Sequence, residues 1–315
     1  MVEFRGIWPA LVTPLDAGGR VDVEATQRLV EALLGADIGG LYVLGGAGEG
    51  VLLPRGVRHE MAEVTMAAVA GRVPVMVHVG ALATDTAVEL AQHANLAGVD
   101  AISAVLPFYY DYPFQAILKH YRAIAAESQV PLIVHHAPMT AAATIRPEQL
   151  LEICALDKVA GFLHVSRDMH FLSRAMALRD ASKVAALSGT DELLLPSLAL
   201  GVDGATGIAA NVLPRLFVDM AAAFARGEVE VARRLQFAAN RIIMAMQPYG
   251  LVPAVKATLT SLGIRVGGAR SPMPVVEGDQ ARKLRRELDE AGLPELVRRT
   301  GLYGREGDPL RGRLG

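Results

Sequence analysis

The chain has 315 residues, with 31 basic and 33 acidic side chains giving a formal charge of −2, so the balance offers no attraction for nucleic acid or an anionic membrane. Hydrophobic residues make up 52% and mean hydropathy is +0.31, enough for a large buried core, yet no run approaches the roughly 18 apolar residues of a membrane span, and residues 1–6 lack an apolar signal core. The single cysteine, Cys154, excludes an internal disulfide, reads as a buried, inert thiol, and fits a reducing, cytoplasmic compartment.

Short apolar runs alternate with longer helical patterns along the first two thirds of the chain. The strand candidates are Ile7–Val12, Gly40–Leu44, Val75–Val79, Ala101–Val105, Leu132–His135, Val159–Leu163, Val184–Leu187 and Gly204–Ile208. They lack polar alternation, as strands of a parallel sheet covered on both faces must. Between them, stretches such as Val23–Leu34, Arg58–Val69, Thr86–Ala97 and Phe114–Ala126 carry apolar residues at helical spacing. Asp22 and Thr84 read as helix starts, and Pro147 as a proline in a first turn. Eight such units predict an α/β fold, a (β/α)8 TIM barrel over about residues 1–225. After Asn211 the strand signal ends. Helical patterns over Leu213–Arg226, Val229–Met246, Pro253–Leu262 and Glu277–Ala291 predict a C-terminal helical extension, 226–300, packed on the barrel. Residues 301–315, rich in Gly and Arg, read as a loose tail.

In a parallel barrel the active site lies at the C-terminal ends of the strands. The segments there are Gly45-Gly-Ala-Gly-Glu-Gly50, His78–Gly80, Pro107-Phe-Tyr-Tyr-Asp-Tyr-Pro113, His135-His-Ala-Pro-Met-Thr140, Leu163-His-Val-Ser166, Ser188-Gly-Thr-Asp191 and Thr206–Asn211. Together they resemble the dihydrodipicolinate synthase / N-acetylneuraminate lyase family over about residues 4–295. Gly45–Glu49 is similar to its Gly-Thr-Thr-Gly-Glu, Pro107–Tyr109 to its Pro-Tyr-Tyr, and His135–Pro138 to its Tyr-Asn-x-Pro. Gly161–Val165 is similar to its Gly-x-Lys-x, and Ser188–Asp191 to Ser-Gly-x-Asp.

The resemblance implies a lyase in which a strand-six lysine forms an imine with a 2-keto acid. It also implies that backbone amides of the Gly-rich loop hold the carboxylate, without a cofactor, in a homodimer or homotetramer. The chain departs from that machinery. Leu163 stands at the lysine position, His135 at the proton-shuttling tyrosine, Gly46 and Ala47 at the two threonines, and Thr140 at an arginine. Tyr109 alone survives among those side chains, on a loop that in the family crosses a dimer contact. None of the five lysines, Lys119, Lys158, Lys183, Lys256 and Lys283, sits at a strand's C-terminal end. The expectation is a lyase-type enzyme acting on a small 2-keto acid or sugar acid by acid/base chemistry without a Schiff base. A catalytically silent carboxylate-binding or regulatory protein of the same fold is the alternative.

His135 and Tyr109 are the candidate catalytic pair, since histidine is suited to proton transfer near neutrality. Gly46, Ala47, Leu163, Ser188, Thr206 and Thr140 are the candidate binding residues, with Glu49, His78, His136, His164 and Asp191 behind them. Strand parity points His136 and His164 away from the barrel centre, to hydrogen bonds between strands and helices rather than to a metal. No metal is expected. Glu49 reads as a residue that holds its loop by accepting backbone N–H bonds.

Overall fold

The structure is a computed structural model, and it describes residues 2–139 and 144–300. Thr140 and the tail 301–315 lie outside the described residues. The strands are β1 (Gly6–Pro9), β2 (Leu41–Val43), β3 (Val75–His78), β4 (Ala101–Val105), β5 (Leu132–His136), β6 (Val159–His164), β7 (Ala185–Ser188) and β8 (Gly204–Gly207). The helices that return the chain between strands are α1 (Val23–Leu34), α2 (Arg55–Val69), α3 (Thr84–Leu96), α4 (Phe114–Glu127), α5 (Pro147–Cys154), α6 (Met169–Leu178) and α7 (Leu194–Ala199). After β8 come α8 (Pro214–Ala225), α9 (Val229–Met246), α10 (Leu251–Ser261), α11 (Gly278–Glu290) and α12 (Leu293–Thr300).

All strand pairs are parallel and follow the order β1-β8-β7-β6-β5-β4-β3-β2. A parallel bridge from Ala10 to Tyr42, with the Leu11 amide donating to the Tyr42 carbonyl at 2.8 Å, brings β1 against β2 and closes the ring. Two of the helix starts expected from sequence have a visible cause. The Asp22 carboxylate accepts from the Ala25 amide, and Pro147 occupies the first turn of α5, where no N–H is needed. The third begins at Thr84 without a capping side chain.

The buried residues split into two layers. The outer one, between sheet and helices, takes Ile7, Val43, Val77, Ile102, Val134, Phe162 and Ala186. The inner one fills the barrel with Trp8, Ala10, Tyr42, Ala47, Met76, Ala101, Ile133, Leu163 and Leu187. Alternate residues of a strand face opposite sides, so this division states which side chains can reach the barrel mouth. Cys154 is buried in α5, and burial pushes its thiol up to about 12. Among the described residues no helix is long and apolar enough to cross a membrane.

The extension is tied to the barrel mouth by its connecting segment. The Leu15 amide, after β1, donates to the Val266 carbonyl at 3.1 Å, and Arg270 Nε donates to the Leu52 carbonyl at 3.1 Å. Lys256, in α10, is 1% exposed, and its Nζ donates to the Gly268 carbonyl at 2.9 Å.

Candidate active site

Inside the mouth, His135 is next in β5 after the inward-facing Ile133 on the same side, and its register partner in β6 is Leu163. The Tyr42 hydroxyl lies 2.7 Å from His135 Nδ1, and Ser103 Oγ lies 2.9 Å from the same hydroxyl. Three strands, β2, β4 and β5, therefore supply one buried hydrogen-bonded chain. Burial pushes the His135 imidazole down to about 4 and raises the Tyr42 phenol, an effect that Ser103 and Arg58 partly oppose. Both groups are neutral at pH 7.

His78 lies behind this chain, its ring centroid 5.6 Å from that of His135. Its Nε2 accepts from the Val105 amide at 3.1 Å, which holds the end of β4. Burial, then His135, then Arg58 hold His78 well below the ordinary imidazole range. Arg58, from α2, donates to the His78 carbonyl at 2.8 Å and the Gly80 carbonyl at 3.2 Å, and burial lowers its guanidinium to about 10. So a buried arginine braces the third strand from outside the barrel.

The Gly-rich loop follows β2 directly. A Cβ on Gly45 would stand 2.6 Å from the Tyr42 ring, so glycine is what lets the tyrosine lie under the loop. Gly46 faces open space, with nothing within 4 Å of the place a Cβ would take, and Ala47 packs into the inner core. Glu49 has φ 59 and is 2% exposed. One of its carboxylate oxygens accepts the Arg270 amide. The other lies 2.5 Å from Lys256 Nζ, an ion pair whose angles are not those of a hydrogen bond. Burial lowers the Lys256 ammonium, opposed by Glu49. Glu49 thus ties its loop to Arg270 and to Lys256, a residue that sequence reasoning left among the C-terminal helices.

The opposite wall is apolar. Leu163 is 0% exposed, and Val165 packs against the same inner cluster. A Cβ on Gly189 would stand 2.4 Å from Val165 and 3.1 Å from Leu163, so the wall is tightly filled. Thr206 pairs in register with the inward Trp8 and faces the same side. All five lysines are described, and none enters the barrel. Lys119, Lys158, Lys183 and Lys283 are exposed, with Lys158 Nζ bonded to the Ser128 carbonyl before β5.

Two expected site residues are not brought to the pocket. Ser188 pairs in register with the outward His164, and its hydroxyl donates to Ser197 Oγ of α7 at 2.9 Å; the inward residue of β7 is Leu187. Tyr109 is 77% exposed on a strained backbone (φ 80), its ring edge-on to Tyr110, and the hydroxyl at His135 belongs to Tyr42 instead. Asp191 is buried at the outer layer, where its carboxylate accepts the Ile208 and Ala209 amides at 2.9 and 3.3 Å. Burial first, against those two bonds, pushes it up to about 7. A cavity of about 10 Å³ beside it is lined by outer-layer residues such as Phe217 and Ala210.

His136 and His164 face outward as parity required. Their Nδ1 atoms are 2.9 Å apart, both rings stack with Phe171, and His164 Nε2 lies 3.3 Å from the Asp168 carbonyl. Among the described residues, no group of three or more His, Cys, Asp or Glu side chains is placed to hold a metal ion. Sequence reasoning missed Tyr42, Ser103 and Arg58. The first two had one available signal, a hydroxyl residue on the inward parity of an apolar strand.

The model of the Dihydrodipicolinate synthetase family matches residues 3–291. An N-acetylneuraminate lyase of Rhizobium meliloti is 37% identical over 297 residues, 94% of this chain and 95% of the relative. A 4-hydroxy-tetrahydrodipicolinate synthase of Methanothrix thermoacetophila is 30% identical over 282 residues, 90% of this chain and 95% of the relative. Among solved structures, CdNal from Clostridium difficile, crystallised in complex with mannosamine, superposes with a TM-score of 0.87 at 26% identity. That match covers 91% of this chain and 99% of the other. The barrel, the loop segments at its mouth and these matches along nearly the whole length agree, and the chain belongs to the Dihydrodipicolinate synthetase family.

Proposed function

We propose that this chain is a lyase-type enzyme acting on a small 2-keto acid or sugar acid, with His135 as its polar centre and no imine intermediate. The relatives named above are a lyase and a synthase, which supports the reaction class. The observation that carries the reading is the pairing of β5 with β6: His135, fixed by Tyr42, lies beside Leu163, where the family resemblance implies a lysine. Amides of the Gly45–Gly50 loop are the assigned cradle for the substrate carboxylate, since Gly46 leaves open space above the site. The apolar wall of Leu163 and Val165 suits a hydrophobic portion of the substrate. Tyr42, rather than Tyr109, is the tyrosine assigned to hold His135. The exposed Tyr109 and Tyr110 are assigned to contact with a second copy in a homodimer or homotetramer.

The test is turnover of N-acetylneuraminate, of pyruvate with aspartate semialdehyde, and of a panel of keto and sugar acids. His135→Gln is expected to abolish the activity found, and His136→Gln to spare it. Borohydride added with pyruvate should leave every lysine unmodified by mass spectrometry, and a reduced pyruvyl-lysine would overturn the mechanism. Saturable thermal stabilisation by a carboxylate without turnover of any compound would replace the enzyme with a carboxylate-binding protein.

A further inference from the structure

We infer that His135 meets its ligand as a hydrogen-bond donor, a neutral imidazole with its proton on Nε2, and that Tyr42 is the positioning residue that fixes this tautomer. The inference deepens the reading of His135 given above. It rests on counting hydrogens in the buried chain. Tyr42 has one hydroxyl proton and two neighbours, His135 Nδ1 at 2.7 Å and Ser103 Oγ at 2.9 Å. In one arrangement Ser103 donates to Tyr42 and Tyr42 donates to Nδ1. Both hydroxyl protons then have acceptors, and the imidazole proton must sit on Nε2.

In the reverse arrangement Nδ1–H donates to Tyr42 and Tyr42 donates to Ser103. The Ser103 proton would then need a further acceptor. Ser103 is 0% exposed, and no other hydrogen bond from its hydroxyl is made among the described residues. A buried donor without a partner is the costly arrangement, so the first is selected.

The same surroundings keep the chain from working as a proton shuttle. If Nε2 surrendered its proton, Nδ1 would have to take one from Tyr42, and burial disfavours the tyrosinate that this leaves. Taking a second proton is disfavoured as well, because burial lowers the imidazole to about 4. His135 therefore keeps one proton and presents a fixed dipole to the mouth. Its natural target is a carbonyl oxygen. When a carbon next to that carbonyl releases a substituent or proton to water, the electron pair left behind moves onto the oxygen, and the Nε2–H bond strengthens as that charge grows. No bond to the protein forms, and His135 is unchanged at the end. On this account the histidine supplies in part, by electrostatics, the electron sink that an imine would supply covalently.

The experiment uses the full chain with 15N-labelled histidine and needs no substrate. Long-range proton–nitrogen correlation spectra are recorded from pH 8 to 5, and the His135 signals are assigned by their loss in His135→Gln. The expected result is a protonated Nε2 and an unprotonated, hydrogen-bonded Nδ1 throughout the range. Tyr42→Phe should move the Nδ1 resonance towards its unbonded position and admit the other tautomer, whereas Ser103→Ala should keep the Nε2–H form. A wild-type His135 protonated on Nδ1, or doubly protonated at pH 7, overturns the inference without any variant having to fold. An Nδ1 resonance unmoved in folded Tyr42→Phe overturns the part assigned to Tyr42. Absence of turnover leaves this spectrum unaffected, so failure of the lyase reading and failure of the tautomer are separate results.

Discussion

Replacing Lys256 with methionine isolates the buried ion pair that joins the C-terminal extension to the Gly-rich loop. Lys256 is 1% exposed and Glu49 2%, with 2.5 Å between the charged atoms. At that distance an effective dielectric near 20 gives an attraction of about 7 kcal/mol, set against several kcal/mol for desolvating each ion. The net worth of the pair is therefore small, but the cost of losing one partner is not. Lys256→Met leaves a buried carboxylate facing only the Arg270 amide. Breaking a buried pair in this way costs about 3–5 kcal/mol. Adding Glu49→Gln keeps an acceptor for that amide while removing the stranded charge, so the double variant should recover at least about half of the loss. Urea unfolding at one fixed protein concentration reads both values. A loss below ~1 kcal/mol for Lys256→Met, or a double variant no more stable than the single one, refutes the charge argument.

Two further outcomes follow from the same geometry. Gly45→Ala places a methyl group 2.6 Å from the Tyr42 ring and should cost ~1–3 kcal/mol and disturb the His135 nitrogen signals, while Gly46→Ala, with nothing within 4 Å, should change stability by less than ~0.5 kcal/mol; equal effects in unfolding experiments would contradict the packing. Stability should also depend on pH through two opposed sets of groups. His78, His120, His135, His136 and His164 all have lowered pKa values, so their contribution is present above about 6.5 and is lost as pH falls through that value towards their folded values, about 4 for His135 and about 3 for His136. Asp191, raised to about 7, works the other way, its contribution being present below about 4 and lost as pH rises through 7. Six lowered histidines, His59 included, outweigh one carboxyl, so the melting temperature should climb from pH 5 to 7, and more steeply in Asp191→Asn. A flat or falling profile would contradict these assignments.

The barrel was legible because periodicity alone separates buried strands from amphipathic helices, and α9 was read to its end residues, Val229–Met246. Its mouth was legible only where parity could be applied. Parity sent His136 and His164 outward, and the structure stacks both on Phe171. The same rule, counted from Leu187, would have sent Ser188 outward as well. Tyr42 escaped notice because a tyrosine between Leu41 and Val43 reads as ordinary core, and nothing local says that β2 and β5 meet across the barrel through it. Lys256 escaped because a helical pattern shows which face is buried, not which charge waits beneath it. A lone cation within Pro253-Ala-Val-Lys-Ala257 was the available sign.

The tie between Glu49 and the segment 256–270 also orders events during synthesis. All eight strands have been made by residue 207, yet the carboxylate that shapes the Gly-rich loop finds Lys256 and the Arg270 amide only when about sixty more residues have emerged. A nascent barrel therefore carries an unneutralised acid at its mouth, and the loop takes its final form among the last parts of the molecule to do so. A chain that ends before residue 256 contains all eight strands but lacks both partners that hold Glu49.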